Sequence, residues 1–233
     1  MPTVKRLVCL ANSRKLSGRC VAGKELTPAG PGPWIRPVSA RPSEEVSEQE
    51  RQYEDGSDPH VLDIIDVPLM SHHPKSYQAE NWLLDPDHYW KLAGRMVWAG
   101  IATLADDPPT LWLNDSSTGA GSHDRVALAA SEGLTGSLFL LRIGSLELRV
   151  FAPGVAFGNP KRRVQAGFVH HGVNYRLWVT DPLVERKYLA GPDGSHGIGE
   201  CFATISLGEP YEGYCYKLVA ALITPDAAAG ENG

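Results

Sequence analysis

The chain has 233 residues, 42% of them hydrophobic, with 24 glycines and 18 prolines. That supports one large core or two small ones and excludes a disordered chain, while the glycine and proline content disfavours a helical protein. The formal net charge is −5, but residues 1–42 carry eight basic groups and one acidic (+7), residues 43–132 carry 5 and 17 (−12), and residues 133–233 carry 9 and 9 (0). Charge segregated in this way predicts a field that steers a polyanion to one face.

Residues 4–11 run apolar without helical spacing and read as a buried strand, closed by Asn12-Ser13 as a turn. This run is too short for a secretory segment and no later run reaches membrane-spanning length, so the expected setting is cytoplasmic, with no membrane contact. Residues 19–22 predict a second short strand. Residues 28–33 hold three prolines and read as a loop, because a ladder needs the amides they lack; 34–38 then resume as an edge strand. Residues 43–53 predict an exposed helix capped by Ser43, with Glu44 and Glu45 at its positive end. Residues 61–69 form a strand that Pro68 ends or places at an edge, and 77–84 and 87–92 read as short helices. Residues 106–109 and 116–122 are loops, the latter Ser/Gly-rich, and a domain boundary is expected near 121–133.

Farther on, 138–143 and 146–151 predict a hairpin around Gly144-Ser145. Residues 164–169 and 173–180 predict a second one around His170-His171-Gly172, with polar and apolar residues alternating over 174–179. Asp181-Pro182 ends that strand. Residues 191–199 read as a Gly-rich loop, 201–207 and 214–223 as the last strands, and the tail from 225 as frayed. The pattern is all-β with a few short helices: two small barrels in tandem, the first over 1–125 with helical insertions, the second over 133–224, and a tail over 225–233. A single larger β-sandwich is the rival architecture.

Certain strings carry a resemblance. Lys5-Arg6-Leu7-Val8-Cys9-Leu10-Ala11-Asn12-Ser13-Arg14-Lys15, Gly18-Arg19-Cys20-Val21-Ala22-Gly23-Lys24 and Gly32-Pro33-Trp34-Ile35-Arg36-Pro37-Val38-Ser39 resemble the opening of a bacterial family of dual OB-domain proteins. Trp178-Val179-Thr180-Asp181-Pro182, Ser206-Leu207-Gly208-Glu209-Pro210 and Tyr216-Lys217-Leu218-Val219-Ala220-Ala221 resemble its C-terminal signature. The resemblance implies two OB-like barrels and a nucleic-acid-binding role, and it transfers no catalytic residue.

Gly18 to Lys24 has the Gly-x4-Gly-Lys spacing of a phosphate-cradling loop, but Glu25 replaces the magnesium-binding hydroxyl and Pro28 forbids the helix that would complete the cradle. The basic opening instead suits a single-stranded nucleic acid, which needs a positive groove plus aromatic platforms. On this reading Arg14, Lys15, Arg19 and Arg36 contact phosphates and Trp34 stacks a base. Lys161, Arg162 and Arg163 give a second basic point, beside Tyr175, Arg176 and Trp178, of which Trp178 is equally a core candidate. The expected function is therefore non-enzymatic binding of single-stranded DNA or RNA through a basic face of the first barrel.

Two alternatives stand beside it. One is an enzyme or sensor for a nucleotide-like small molecule, in a pocket between the barrels lined by Asp181, Glu209 and Lys217; Lys217 either points outward from its apolar strand or pairs with a carboxylate such as Asp181. The other is an interaction scaffold whose acidic segment 44–66 binds a basic protein or covers the basic face. Cys9, Cys20, Cys201 and Cys215 lie at long irregular spacings and read as reduced thiols or core residues. The adjacent pairs His72-His73 and His170-His171 should point to opposite faces of a strand, so neither a metal nor any other cofactor is expected.

Overall fold

A computed structural model describes residues 3–229 of the chain. They fall into two compact units, residues 3–104 with 135–137 and 225–229, and residues 105–134 with 138–224. The division thus lies at 104/105, and residues 105–134 group with the second unit.

The first unit contains β1 (Thr3–Lys15), β2 (Gly18–Thr27), β3 (Gly30–Val38), the one-turn helix α1 (Glu48–Arg51), β4 (Asp63–His72), β5 (Asn81–Leu84) and β6 (Lys91–Arg95). Pairing runs β1-β2-β3-β5-β4 and returns from β4 to β1, closing a five-stranded barrel to which β6 adds beside β4. Every contact is antiparallel except β3 with β5. Leu7, Val21, Ile35, Ile65, Val67 and Trp90 fill the interior. Gly23 lets β2 cross β1 closely: a Cβ there would stand 2.1 Å from the Val8 carbonyl oxygen. Helix α2 (Trp98–Ile101) and a 3-10 turn over Ala102–Leu104 follow β6.

The second unit repeats the plan. After β7 (Arg125–Ala127) and α3 (Leu128–Ser131) come β8 (Leu138–Phe151), β9 (Arg163–His170), β10 (Val173–Val179), helix α4 (Pro182–Leu189), β11 (Gly194–Tyr211) and β12 (Tyr214–Ile223). The order β8-β9-β10-β12-β11, closing from β11 to β8, matches that of the first barrel, again with one parallel pair, β10 with β12. Both barrels have the 1-2-3-5-4-1 strand order of an OB fold, with a helix between strands 3 and 4. Leu141, Leu148, Ala166, Leu177, Ile205 and Val219 lie in its core.

Barrel closure overrides several local expectations. Strand β1 continues through Asn12-Ser13, since both pair with β2. Strand β3 begins inside the proline-rich stretch, with Pro31 opposite Leu26, and β5 beside it removes the expected edge. The 43–53 helix shrinks to α1, capped by Ser47 in a reciprocal box with Glu50 rather than by Ser43. Strand β4 passes through Pro68, which falls between the stretches paired with β6 and with β5. Parts of the two expected helices over 77–92 are β5 and the start of β6, because their apolar residues complete the barrel. Strand β8 is one strand: Gly144-Ser145 lies where the strand runs exposed between its inward-facing stretches, since a glycine inside a barrel strand eases a bend. Of the Gly191–Gly199 stretch only the first three residues stay outside strand; residues 194–199 begin β11, with register shifts at Gly197 and Gly199. Asp181 does not merely end β10; its carboxylate accepts from the amides of Leu183 and Val184 and caps α4, with Pro182 in the first turn. Pro225–Ala229 forms the short helix α5 rather than a frayed tail, and Arg95 Nη2 donates to the Ala227 carbonyl at 3.4 Å; residues 230–233 lie outside those described.

Each barrel holds a buried cation beside its parallel pair. In the first, Arg36 lies opposite Asn81 on the β3–β5 seam and is 4% exposed. Its Nη2 stands 2.9 Å from Glu80 Oε1 and donates to Ser137 Oγ at 2.6 Å; Ser137 also hydrogen-bonds the same carboxylate. In the second, Lys217 is fully buried on β12, next to Leu218 of the β10–β12 seam. It has no carboxylate partner at bonding distance: Nζ donates to the Leu113 carbonyl at 2.7 Å and to Asn114 Oδ1 at 3.1 Å, and stands 5.5 Å above the Tyr175 ring. Burial lowers its pKa from 10.5 to about 8, against the opposing pull of Asp115 and Asp124.

Two predictions follow the two cations. Removing one partner of a buried ion pair leaves the other uncompensated, so Glu80→Ala should lower unfolding free energy by about 3–5 kcal/mol in urea titrations; an Arg36→Met/Glu80→Leu double variant should recover most of that loss. A lysine whose folded pKa is depressed releases its proton more readily when folded, so the unfolded state binds more protons between about pH 8 and pH 10.5. The stability contributed by Lys217 must therefore rise with pH across that window. Melting curves should show that rise reduced in Lys217→Met relative to the parent chain; identical pH slopes would contradict it.

Candidate nucleic-acid interface

In an OB barrel, extended ligands lie on the outer face of strands 2 and 3 and on the loops joining strands 1–2 and 4–5. In the first barrel these are β2, β3 and the tight β1–β2 turn. In the second they are β9, β10 and the longer loop 152–162.

The basic opening does not become one positive face. Lys5 Nζ stands 3.0 Å from Glu25, Arg6 makes a two-pronged contact with Asp66 at 2.7 and 2.8 Å, and Arg41 lies 3.4 Å from Glu50. Lys24 is buried and donates to the Leu104 carbonyl at 2.8 Å. Arg36 is spent inside the barrel on Glu80 and Ser137, so its expected phosphate contact is lost. Strand alternation puts Arg19 on the face of Val21, and Lys24 on the other, where Trp34 lies opposite it with its ring 5.5 Å from Nζ. Trp34 is therefore on the opposite side of β2–β3 from Arg19. What the fold does bring together is the hairpin tip: Arg14 opposite Arg19, and Lys15 opposite Gly18, around an exposed Leu16. Gly18 to Lys24 is extended strand, which removes the phosphate-loop reading.

The acidic segment 44–66 is largely used within the same barrel. Asp66 pairs with Arg6, and Asp58 stands 2.7 Å from Arg51. Asp63 accepts from Tyr53 and Arg95, and Glu50 belongs to the cap of α1.

In the second barrel, loop 152–162 leaves β8 at Phe151 and enters β9 at Arg163, two residues that face each other in the ladder. A 3-10 turn over Val155–Phe157 ends at Gly158, whose φ of +76° favours glycine. The Asn159 amide closes back on the Gly154 carbonyl at 2.9 Å. This folded tip leaves the Phe157 side chain 90% exposed, with exposed Lys161 four residues on. Arg162 is an anchor rather than a phosphate ligand: it reaches the carbonyls of Leu189 and Gly191 beyond the end of α4, at 3.0 and 2.6 Å, and Asp193 at 2.6 Å.

Beside the loop, cations and rings alternate. Arg149 lies 4.4 Å over the Phe151 ring, Phe151 stacks on Trp178 with centroids 5.7 Å apart, and Arg163 lies 4.1 Å over Trp178. Trp178 is 8% exposed and serves as the base of this stack. Arg176 shares its strand face and is exposed, whereas Tyr175 points into the core. Segment 116–124 borders the face: Ser122 pairs with Arg176, and buried Gln165 donates to the Ala120 carbonyl at 2.8 Å. Sequence reasoning missed Phe157 and Arg149; the signal for Phe157 was a large aromatic between two glycines in a loop.

The residues of the alternative pocket have other roles. Asp181 caps α4 and accepts from the Leu222 amide at 3.1 Å, and burial raises its pKa against those bonds. Lys217 bonds to Leu113 and Asn114, so the expected Asp181–Lys217 pair is absent. Glu209 is half-buried on β11. All four cysteines are free, and burial drives the Cys201 thiol up to about 12, which makes it a poor nucleophile. The expectation that His170 and His171 point apart fails, because His171 leaves the strand at a φ of +46°. No helix among the described residues is long and apolar enough to cross a membrane.

Comparison with curated proteins and with solved structures finds no match. The sequence profile described as "Dual OB-containing domain" matches residues 5–222, a span that takes in both closed barrels. With the same strand order twice and a profile match over nearly its whole length, the chain belongs to the dual OB-containing domain family.

Proposed function

We propose that the protein binds single-stranded nucleic acid, DNA or RNA, as a non-enzymatic module, and that the second barrel carries the principal contact. The observation that carries this reading is Phe157: a large aromatic 90% exposed on the loop joining strands 1 and 2 of an OB barrel, beside Lys161 and the Arg149–Phe151–Trp178–Arg163 stack. An exposed ring costs hydration free energy in the unbound protein, and a base stacked on it recovers roughly 1–3 kcal/mol. Exposed Arg149 and Lys161 supply the phosphate attraction. The corresponding turn of the first barrel, with Arg14, Lys15 and Arg19, adds a second cationic contact without an aromatic of its own.

Fluorescence anisotropy with labelled single strands at two salt concentrations tests this. Affinity should fall as salt rises, because phosphate contacts release counterions. Phe157→Ala should weaken binding by about 5- to 150-fold, the equivalent of one lost stack. Arg19→Ala should reduce the salt slope by about one charge while leaving base preference unchanged. Salt-independent binding, or a Phe157→Ala variant that binds like the parent, would overturn the assignment.

A further inference from the structure

The β9–β10 turn holds a cluster that the nucleic-acid reading does not use. His170 ends β9, His171 begins the turn and Asp107 lies in the segment beside it; one ligand atom from each falls within 4.8 Å of the other two. The imidazole centroids are 4.4 Å apart with the rings at 67°, and His171 Nε2 stands 2.7 Å from Asp107 Oδ1.

Two neighbouring strand residues normally point to opposite faces, so this convergence needs a cause. His171 and Gly172 both have positive φ, +46° and +77°, the backbone of a type I′ hairpin turn. Asparagine or glycine is the ordinary first residue of such a turn. Histidine is among the few other side chains enriched in the left-handed region. Glu212-Gly213 makes the same kind of turn, at +49° and +79°; at His171 this backbone swings the imidazole onto the side of His170.

The surroundings are ordered as a ligand set requires. His170 is buried and its Nε2 lies 2.6 Å from the Pro108 carbonyl. That oxygen only accepts, so Nε2 donates to it and Nδ1 is the nitrogen left to face a ligand, the kind of hydrogen bond that orients metal-bound histidines. Asp107 is held by its neighbour: Asp106 exchanges backbone and carboxylate bonds with Leu140 at 2.7 and 2.8 Å. The Asp107 and His171 side chains are 81% and 46% exposed, which leaves an entry path.

We propose that Asp107, His170 and His171 form a solvent-open site for a divalent transition-metal ion, Zn²⁺ foremost. Two imidazoles and a carboxylate are the donors such borderline ions prefer over Mg²⁺ or Ca²⁺, and three protein ligands leave a coordination position for water.

Isothermal titration calorimetry with ZnCl₂, on the whole chain freed of any affinity-tag histidines, should show one ion per chain. Co²⁺ substitution should give a spectrum without thiolate charge transfer. His171→Asn keeps a residue suited to the left-handed turn and removes the imidazole; Asp107→Asn changes an exposed carboxylate and leaves the fold intact. Each should weaken binding at least tenfold. Zn²⁺ should raise the Tm of the parent chain and not that of the variants. No stoichiometric binding, thiolate ligation of Co²⁺, or variants that bind like the parent would each overturn the site.

Discussion

Both barrels close through a single short parallel contact between their third and fifth strands, and a buried cation sits beside each one. The seam is three residue pairs long in the first barrel and two in the second, and parallel ladders are slightly weaker per residue than antiparallel ones. Arg36 and Lys217 therefore sit where the sheet has least hydrogen bonding of its own. Each must be solvated by the protein, and each recruits a segment outside the five strands: Ser137 with Glu80 for Arg36, Leu113 and Asn114 for Lys217. The two solutions differ chemically. Arg36 neutralises its charge against a carboxylate, whereas Lys217 has only neutral acceptors and answers with a lowered pKa.

The same need for compensation explains what became of the charge segregation. The +7 block and most of the −12 block, residues 43–104, share one barrel, because β4 and the segments around it carry acids that face bases of the opening segment. Arg6 with Asp66, Arg36 with Glu80 and Arg41 with Glu50 each join the two blocks. A charge count along the chain measures composition, whereas the field at a surface depends on which strands pair. The positive face expected over residues 5–36 dissolves into paired strands, and only the β1–β2 tip keeps several cations together.

The all-β class and the duplicated plan were legible because apolar runs of strand length recur between turn residues. The errors share a cause: glycine, proline and short apolar runs were read by their local preference. Gly144, Gly197 and Gly199 mark bends within barrel strands rather than loops. Residues 81–84 become a strand because the barrel lacks one. Asp181-Pro182 was legible as a helix start, an N-cap followed by proline, but its turn propensity masked that signal. Of the candidate site, the basic character of residues 161–163 was visible. Whether each cation lies over an aromatic ring or anchors a helix end was not, since Arg162 and Arg163 are neighbours with opposite fates.

The scaffold is duplicated, but its surface is not. In the first, the strand 2–3 face is occupied at Lys24 by the chain's own 98–104 segment, and its turn between strands 1 and 2 is minimal. In the second, segment 116–124 covers the matching face at Gln165, but the turn is extended by an eleven-residue loop, 152–162, next to a cation–aromatic stack. Two surface residues of this barrel depart from local preference: Phe157 stands in solvent, and His171, like Glu212, adopts the left-handed backbone. Buried irregularities elsewhere, such as Gly23 against Val8, are explained by strand crossing. Surface departures such as these have no strand crossing to explain them, which is why the proposed contacts are placed there.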